Sequence, residues 1–391
     1  MKIQSKILSA VALSVCSHSA FSIPFTFEGR SLGMGGVSVA TADLATAAWA
    51  NPAMLTRQRP NDDFSLLIGV GAFVRDDDDL ISDIDDFQAA DSRRKTAQAA
   101  GDVPGEVTAA LDMVNIVAGI DGKDMAVDAS GVAAVGMAFD KFAMALSIRA
   151  DAIGAGTVTN LSQTPAQVVD PNFNILNLEG VIATEFGVSF AKKFRFYNKR
   201  VSLGIKPKLV DLQAFVYRDA ILNSNSLGDV FDNGTKSDLG TFTSFDLGAA
   251  VELTDSLRLG LNIRNLLTDE FDLGGTKLNF DTNTRIGLAY HNRMMTLAVD
   301  YDLTENKPLL ANPVFDDLKT QYLAVGAEFN AFSFAQLRVG ARKNLASGIS
   351  SGAKDTALTA GIGFWLGFNL DVAAIFTNNS VGGFVQTGFR F

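Results

Sequence analysis

The residues best able to do chemistry in this chain are acids and bases set at every second position along apolar segments. Asp246, Glu252, Arg258, Arg264, Arg285 and Asp300 are the clearest, with Glu185, Lys206, Lys208, Glu328, Arg338, Arg342 and Asp371 in the same kind of setting. Catalysis would require a nucleophile and a base in a defined relation, and none is visible. The two histidines are His18 and His291, and the one cysteine, Cys16, lies in the N-terminal apolar stretch. After removal of that stretch the chain would carry no thiolate for a disulfide, metal or nucleophilic role. Opposite charges facing one another across neighbouring segments fit a water-filled interior lined by ion pairs, and imply no enzyme, metal or cofactor.

The segments that carry these charges decide the fold. In 257–264, Leu257, Leu259, Leu261 and Ile263 share one face, and Arg258, Gly260, Asn262 and Arg264 share the other. A strand with lipid on one side and water on the other has this pattern. Fourteen such segments follow one another, near 64–74, 131–139, 142–150, 181–193, 201–217, 241–253, 257–266, 284–291, 294–303, 321–330, 335–343, 357–366, 369–376 and 383–391. Short turns (Asp140-Lys141, Thr254 to Ser256, Asn292-Arg293) alternate with long connections, the largest being 75–130, where Ala89 to Val117 has helical composition. Short periplasmic turns, long external loops and an even strand count define an outer-membrane barrel with both termini in the periplasm. The expected fold is all-β and transmembrane, a fourteen-stranded antiparallel β-barrel.

A turn at Thr254 to Ser256 sets Glu252 opposite Arg258 and Asp246 opposite Arg264. A turn at Asn292-Arg293 sets Arg285 opposite Asp300. Each such pair is worth ~0.2–1 kcal/mol. Aromatic residues Tyr290, Tyr301, Phe376, Phe389 and Phe391 fall near strand ends, where an interfacial belt belongs.

Bulk properties agree. The chain has 391 residues, 47% hydrophobic and 19% charged, with 35 glycines and a mean hydropathy of +0.17. A net charge of −10 makes nucleic acid a poor partner. Lys2, Lys6 and the short apolar run Ile7 to Val15 read as a signal peptide over 1–22, cleaved after Ala20 or Ser22. With no apolar run beyond it long enough for a membrane helix, a closed barrel is what remains for spanning a bilayer. The acidic run Asp76 to Asp79, with Asp83, Asp85 and Asp86, lacks the spacing of a calcium loop and reads as a solvated loop, or as a divalent-mediated contact with lipopolysaccharide. Pro207 inside VSLGIKPKLV cannot donate to a ladder. It marks either a wall kink used as an exit or a bulge near the rim.

Residues 23–62 are not strand-like. Gly29 to Thr56 reads GRSLGMGGVSVATADLATAAWANPAMLT and resembles the N-terminal hatch of the FadL superfamily of outer-membrane barrels. The pieces that carry the resemblance are Gly33, Gly35 and Gly36 of SLGMGG, the Ala42-Asp43 pair, and Asn51-Pro52-Ala53. Within that superfamily the chain is most similar to the TraF-type conjugal transfer proteins, as distinct from the thioredoxin-like TraF with its C-x-x-C. The resemblance implies a hatch over 23–62 inside the lumen of a barrel formed by 63–391. It also implies binding or passage of hydrophobic small molecules by a monomer among outer-membrane lipid and lipopolysaccharide. The competing expectation is a non-transporting surface or assembly protein, linked to conjugal transfer or cell contact, whose barrel only anchors its loops. A continuous apolar cavity would favour the first, and a lumen filled by ion pairs the second.

Overall fold

The computed structural model describes residues 28–390 except 58–62, 77, 224–233, 268–269, 274–275, 280, 307–318, 333, 350–355 and 379. The signal segment 1–22, Asp77 and Phe391 therefore lie outside the described residues. A short helix α1 (Gly29–Gly33), a single turn α2 (Ala47–Ala50) and a 3₁₀ turn (Pro52–Thr56) precede the first strand. Then come β1 (Phe64–Arg75), helices α3 (Leu80–Ala100) and α4 (Val103–Ile120), β2 (Asp124–Ala138), β3 (Ala143–Thr159) and α5 (Pro165–Val168). β4 (Ile175–Phe196), β5 (Lys199–Ala220), β6 (Thr235–Glu252), β7 (Leu257–Arg264), β8 (Glu270–Leu273) and β9 (Thr276–Asn279) follow. The chain ends with β10 (Asn283–His291), β11 (Met295–Asp302), β12 (Tyr322–Phe332), β13 (Ala335–Asn344), β14 (Thr356–Trp365), β15 (Asn369–Phe376) and β16 (Ser380–Arg390).

Fourteen of the strands pair antiparallel with their neighbours, and β1 closes onto β16 to complete a barrel. β8 and β9 form a separate hairpin within the connection after β7, an element with no counterpart in the sequence expectation. The alternation of the strands is realised as expected: Leu146, Phe186, Leu203, Val339 and Val385 are exposed on the outer face, whereas Arg149, Glu185, Lys206 and Arg338 are buried within. So many exposed large apolar side chains would be a liability in water and are ordinary against hydrocarbon.

The short turns gather at one end. Tyr197 and Asn198 join β4 to β5 with φ of 43° and 61°, the left-handed pair that a two-residue hairpin needs. Phe139 and Phe142 stack at 4.8 Å beside the β2–β3 turn, and Phe389 stands 6.0 Å from Phe368. Aromatic pairs thus mark this rim.

Several strands are longer than the sequence pattern suggested. β2 begins at Asp124 rather than near 131, so the connection from β1 covers 76–123. β3 and β4 extend to Thr159 and from Ile175. Strands of about 9–11 residues suffice to cross a bilayer, and β4 and β5 have 22 each. Their distal halves lost the period of two because both faces are covered there: Val181 inside and Leu178 outside are both buried.

Candidate functional site

The barrel interior is occupied by the N-terminal segment. Residues 28–57 are almost entirely buried, and they run along the inner faces of the strands. Local sequence explains the path. Glu28 caps α1 by accepting from Ser31 N (2.9 Å) and Arg30 N (2.8 Å). Gly35 and Gly36 then reverse the chain with φ of 77° and 93°, conformations that favour glycine. Asn51 ends α2, and its Oδ1 accepts from Ala53 N at 3.1 Å while Pro52 opens the 3₁₀ turn.

Each of the motif residues has a definite seat. Gly33 lies against Gly361, and a Cβ on Gly35 would collide with the Val325 and Ala341 carbonyl oxygens. Gly35 N donates to Thr359 Oγ1 at 2.8 Å. Asn51 Nδ2 donates to Val39 O (2.8 Å) within the segment and to Ala249 O (3.2 Å) on β6. Asp43 pairs with the Thr46 hydroxyl at 2.9 Å. Pro52 and Ala53 rest on Gly204 and Gly248, where any Cβ would strike them.

The glycines of the wall are the signal that sequence reasoning missed. Gly204 opposes Gly248, Gly260 opposes Gly287, and Gly326 opposes Gly340 across adjacent strands. All face inward, and a side chain on any of them would meet the N-terminal segment or, at Gly287, also Asp300. Small residues at directly paired positions admit one backbone close to another. The matching could have been found by asking which inward positions lack a side chain.

Polar contacts complete the seat. Asp300 Oδ2 accepts from Ser38 N (2.7 Å) and Val39 N (3.0 Å). Arg258 and Asn262 donate to the Ala40 and Ala50 carbonyls at 3.2 and 2.7 Å. Arg30, not singled out in the sequence, makes a two-pronged bond to Glu328 at 2.7 and 2.8 Å. Glu328 also accepts from Arg338, which pairs with Asp371. Gln386 bridges Asp371 (3.0 Å) and Gly29 N (2.8 Å).

The ion pairs follow the expected register on one hairpin and depart from it on the other. Glu252 opposes Arg258, with 3.6 Å between charged atoms, and Arg264 lies 3.8 Å from Asp246. Arg285, however, opposes and pairs with Asp302 rather than Asp300. The turn sits one residue later than the sequence suggested, because Asn292 Oδ1 accepts from both Met294 N and Met295 N and fixes Arg293-Met294 as its tip. That two-residue slip leaves Asp300 to receive the N-terminal segment. Glu185 is the hub of a second buried group, contacted by Lys206, by Lys208 at 2.9 Å and by Arg264 at 3.5 Å. Lys208 also reaches Asp246 at 2.7 Å.

Pro207 lies within β5 opposite Phe245, and no bulge occurs there. The β4–β5 ladder is broken for two rows between Gly187–Lys208 and Phe190–Ile205, with register kept on either side. The register shift of the neighbouring β5–β6 ladder falls opposite Leu212 and Gln213 instead, where β6 carries Leu239 as the extra residue.

Burial sets the protonation of the seated segment. Glu28 is pushed up to about 7 by burial, reinforced by the neighbouring Asp43. Arg57 is pulled down to about 9 by burial and by the nearby Arg258 and Arg30; it donates to Thr41 O at 2.6 Å. Among the described residues no group of three or more His, Asp or Glu is placed to hold a metal. In the acidic run, Asp76 accepts from Ile81 N and Asp83 pairs with Lys123 at 2.6 Å.

Comparison with known proteins places the chain. Residues 48–302, more than half of it, match the family model described as "F plasmid transfer operon, TraF, protein". The chain belongs to this TraF family. Among solved structures, the toluene transporter TbuX of Ralstonia pickettii is similar with a TM-score of 0.54 and 14% identity, covering 94% of this chain and 99% of that one. The toluene transporter TodX of Pseudomonas putida gives 0.55 and 12%, with 94% and 99% covered. A Pseudomonas aeruginosa FadL homologue gives 0.55 and 12%, with 94% and 98% covered. No curated protein matches the sequence. At these identities the likeness is one of fold: this TraF-family chain shares the closed antiparallel barrel of these structures.

Proposed function

We propose that this protein is an outer-membrane, FadL-like channel that binds or passes hydrophobic small molecules, with residues 28–57 as a hatch over the periplasmic half of its lumen. It acts without catalysis or cofactor, as a monomer among lipid and lipopolysaccharide, after removal of its signal peptide. The observation that carries this reading is how the segment is held. It meets the wall through paired glycines, backbone hydrogen bonds and a few side chains such as Asp300, Thr359 and Gln386, and strand pairing plays no part. A segment seated this way can move without opening the barrel. Gly33, Gly35, Gly36, Asp43, Asn51, Pro52 and Ala53 define its resting place, and the break beside Pro207 is a candidate exit in the wall.

A second reading is favoured by the buried ion pairs around Glu185 and Arg338, which fill the lumen with charge. On that reading the barrel is a closed anchor for its external elements in conjugal transfer or cell contact. Two measurements separate the readings: mass spectrometry of hydrophobic compounds retained by the purified protein, and uptake of a labelled monoaromatic hydrocarbon by cells with and without the gene. Retained ligand and gene-dependent uptake support the channel. Neither retention nor an uptake difference supports the anchor.

A further inference from the structure

The helical hairpin α3–α4 lies on the outside of the barrel. Met125, Gly156, Leu178 and Tyr217 form one row across β2, β3, β4 and β5. They share the face of Ile148, Phe186 and Leu209, which oppose one another lower on β3, β4 and β5 and are exposed. Yet Met125, Leu178 and Tyr217, with Leu176, Ile182 and Phe215, are buried in one apolar cluster with Leu80, Phe87, Met113, Val117 and Ile120 of the hairpin. The hairpin therefore covers the distal extensions of these strands on their lipid-side face, immediately above the apolar belt.

Its two helices differ in what they leave uncovered. α3 exposes Asp86, Arg93 and Lys95. α4 exposes Val103 (64%), Val107 (50%) and Leu111 (48%), spaced four residues apart along one stripe. Its exposed positions also include Thr108, Asn115 and Ala118, and its acids Glu106 and Asp112 are turned towards Arg94 and Arg93 of α3, with Asp112 3.2 Å from Arg93. Contrary to the sequence expectation that no such run follows the signal segment, α4 is, among the described residues, long and apolar enough by length and composition to cross a membrane. Its inner face is committed to α3 and the strand wall, which sets it along the barrel's flank. The turn between the helices is built for this: Gly101 ends α3 at φ 70°, and Asp102 Oδ1 caps α4 at Gly105 N, 3.1 Å away.

We propose that the outer stripe of α4 rests in the outer leaflet of the membrane, so that the first external loop is an interfacial amphipathic helix strapped to the barrel wall. The occupant of the stripe is lipid acyl chain, because α4 packs over the distal part of the same outer face whose lower residues Ile148, Phe186 and Leu209 are apolar and exposed. Charged α3 then faces water, as interfacial helices require of their polar side. This role is separate from transport and rests only on the barrel spanning a bilayer.

The test uses the full-length protein in lipid bilayers, with single cysteines at Val107, Leu111, Ser92 and Ile148 carrying a nitroxide. Collision with oxygen, which favours hydrocarbon, is compared with collision with a water-soluble nickel chelate. All four positions lie on the surface, so the labels do not disturb packing. The expected result is a severalfold higher oxygen-to-nickel ratio at Val107 and Leu111 than at Ser92, similar to that at Ile148. Nickel accessibility at Val107 and Leu111 equal to that at Ser92 overturns the proposal. Protection of both from oxygen and nickel, with dipolar broadening between labels, overturns it in favour of a second copy. A water-exposed Ile148 would instead fault the membrane placement itself.

Discussion

Asp300→Ala is the sharpest perturbation of the seated segment. The Asp300 carboxylate accepts two backbone N–H groups, Ser38 at 2.7 Å and Val39 at 3.0 Å, in a fully buried setting. Removing the acceptor strands both donors, and each unsatisfied buried group costs about 1–3 kcal/mol. The segment thus loses about 2–6 kcal/mol of its seat. The barrel ladder keeps every β10–β11 and β11–β12 backbone pair. Two assays read the loss. Amide hydrogen exchange at residues 36–41 should accelerate by one to several orders of magnitude (about tenfold per 1.4 kcal/mol), while exchange in β11 stays slow. Conductance in planar bilayers should rise, with openings that the wild type lacks. Asp300→Asn keeps one oxygen acceptor and should fall between the two. Unchanged exchange at Ser38 and Val39 in the alanine variant would refute the reasoning, since those bonds would then not hold the segment.

Three further perturbations test other parts of the structure. Glu185→Ala leaves Lys206, Lys208 and Arg264 buried around an absent partner; breaking such a group costs about 3–5 kcal/mol, read as a lower temperature at which the unboiled protein loses its anomalous gel migration. Glu28 has a seated pKa near 7 against an ordinary 4.5, so its contribution is fully present below about pH 4.5 and is lost as pH rises through 7; proteolysis of the N-terminal segment should quicken across that window, and Glu28→Gln should flatten the profile. Pro207→Ala supplies a donor to the broken β4–β5 rows; if the break serves as the exit, hydrocarbon uptake falls although the barrel is no less stable to heat.

Residue order alone determined the barrel, because the period of two is imposed strand by strand by the difference between lipid and water. Leu257, Leu259 and Leu261 could only face outward, and Arg258 and Arg264 only inward, whatever the rest of the chain did. The count of fourteen strands and the short-turn rim followed from the same local physics, as did the Glu252–Arg258 pairing. Where environment differs between distant parts of the chain, local pattern fails. The distal ends of β2–β5 lost their alternation because α3 and α4 cover the face that would otherwise be bare. Asp300 acquired its role from a turn shifted by one residue, a difference held by the Asn292 side chain and visible only as geometry. The glycine pairs Gly204–Gly248, Gly260–Gly287 and Gly326–Gly340 are scattered in the sequence and become a seat only when the strands bring them level. Which face a residue takes is a local decision, whereas what it meets there is settled by the closing of the barrel around the N-terminal segment.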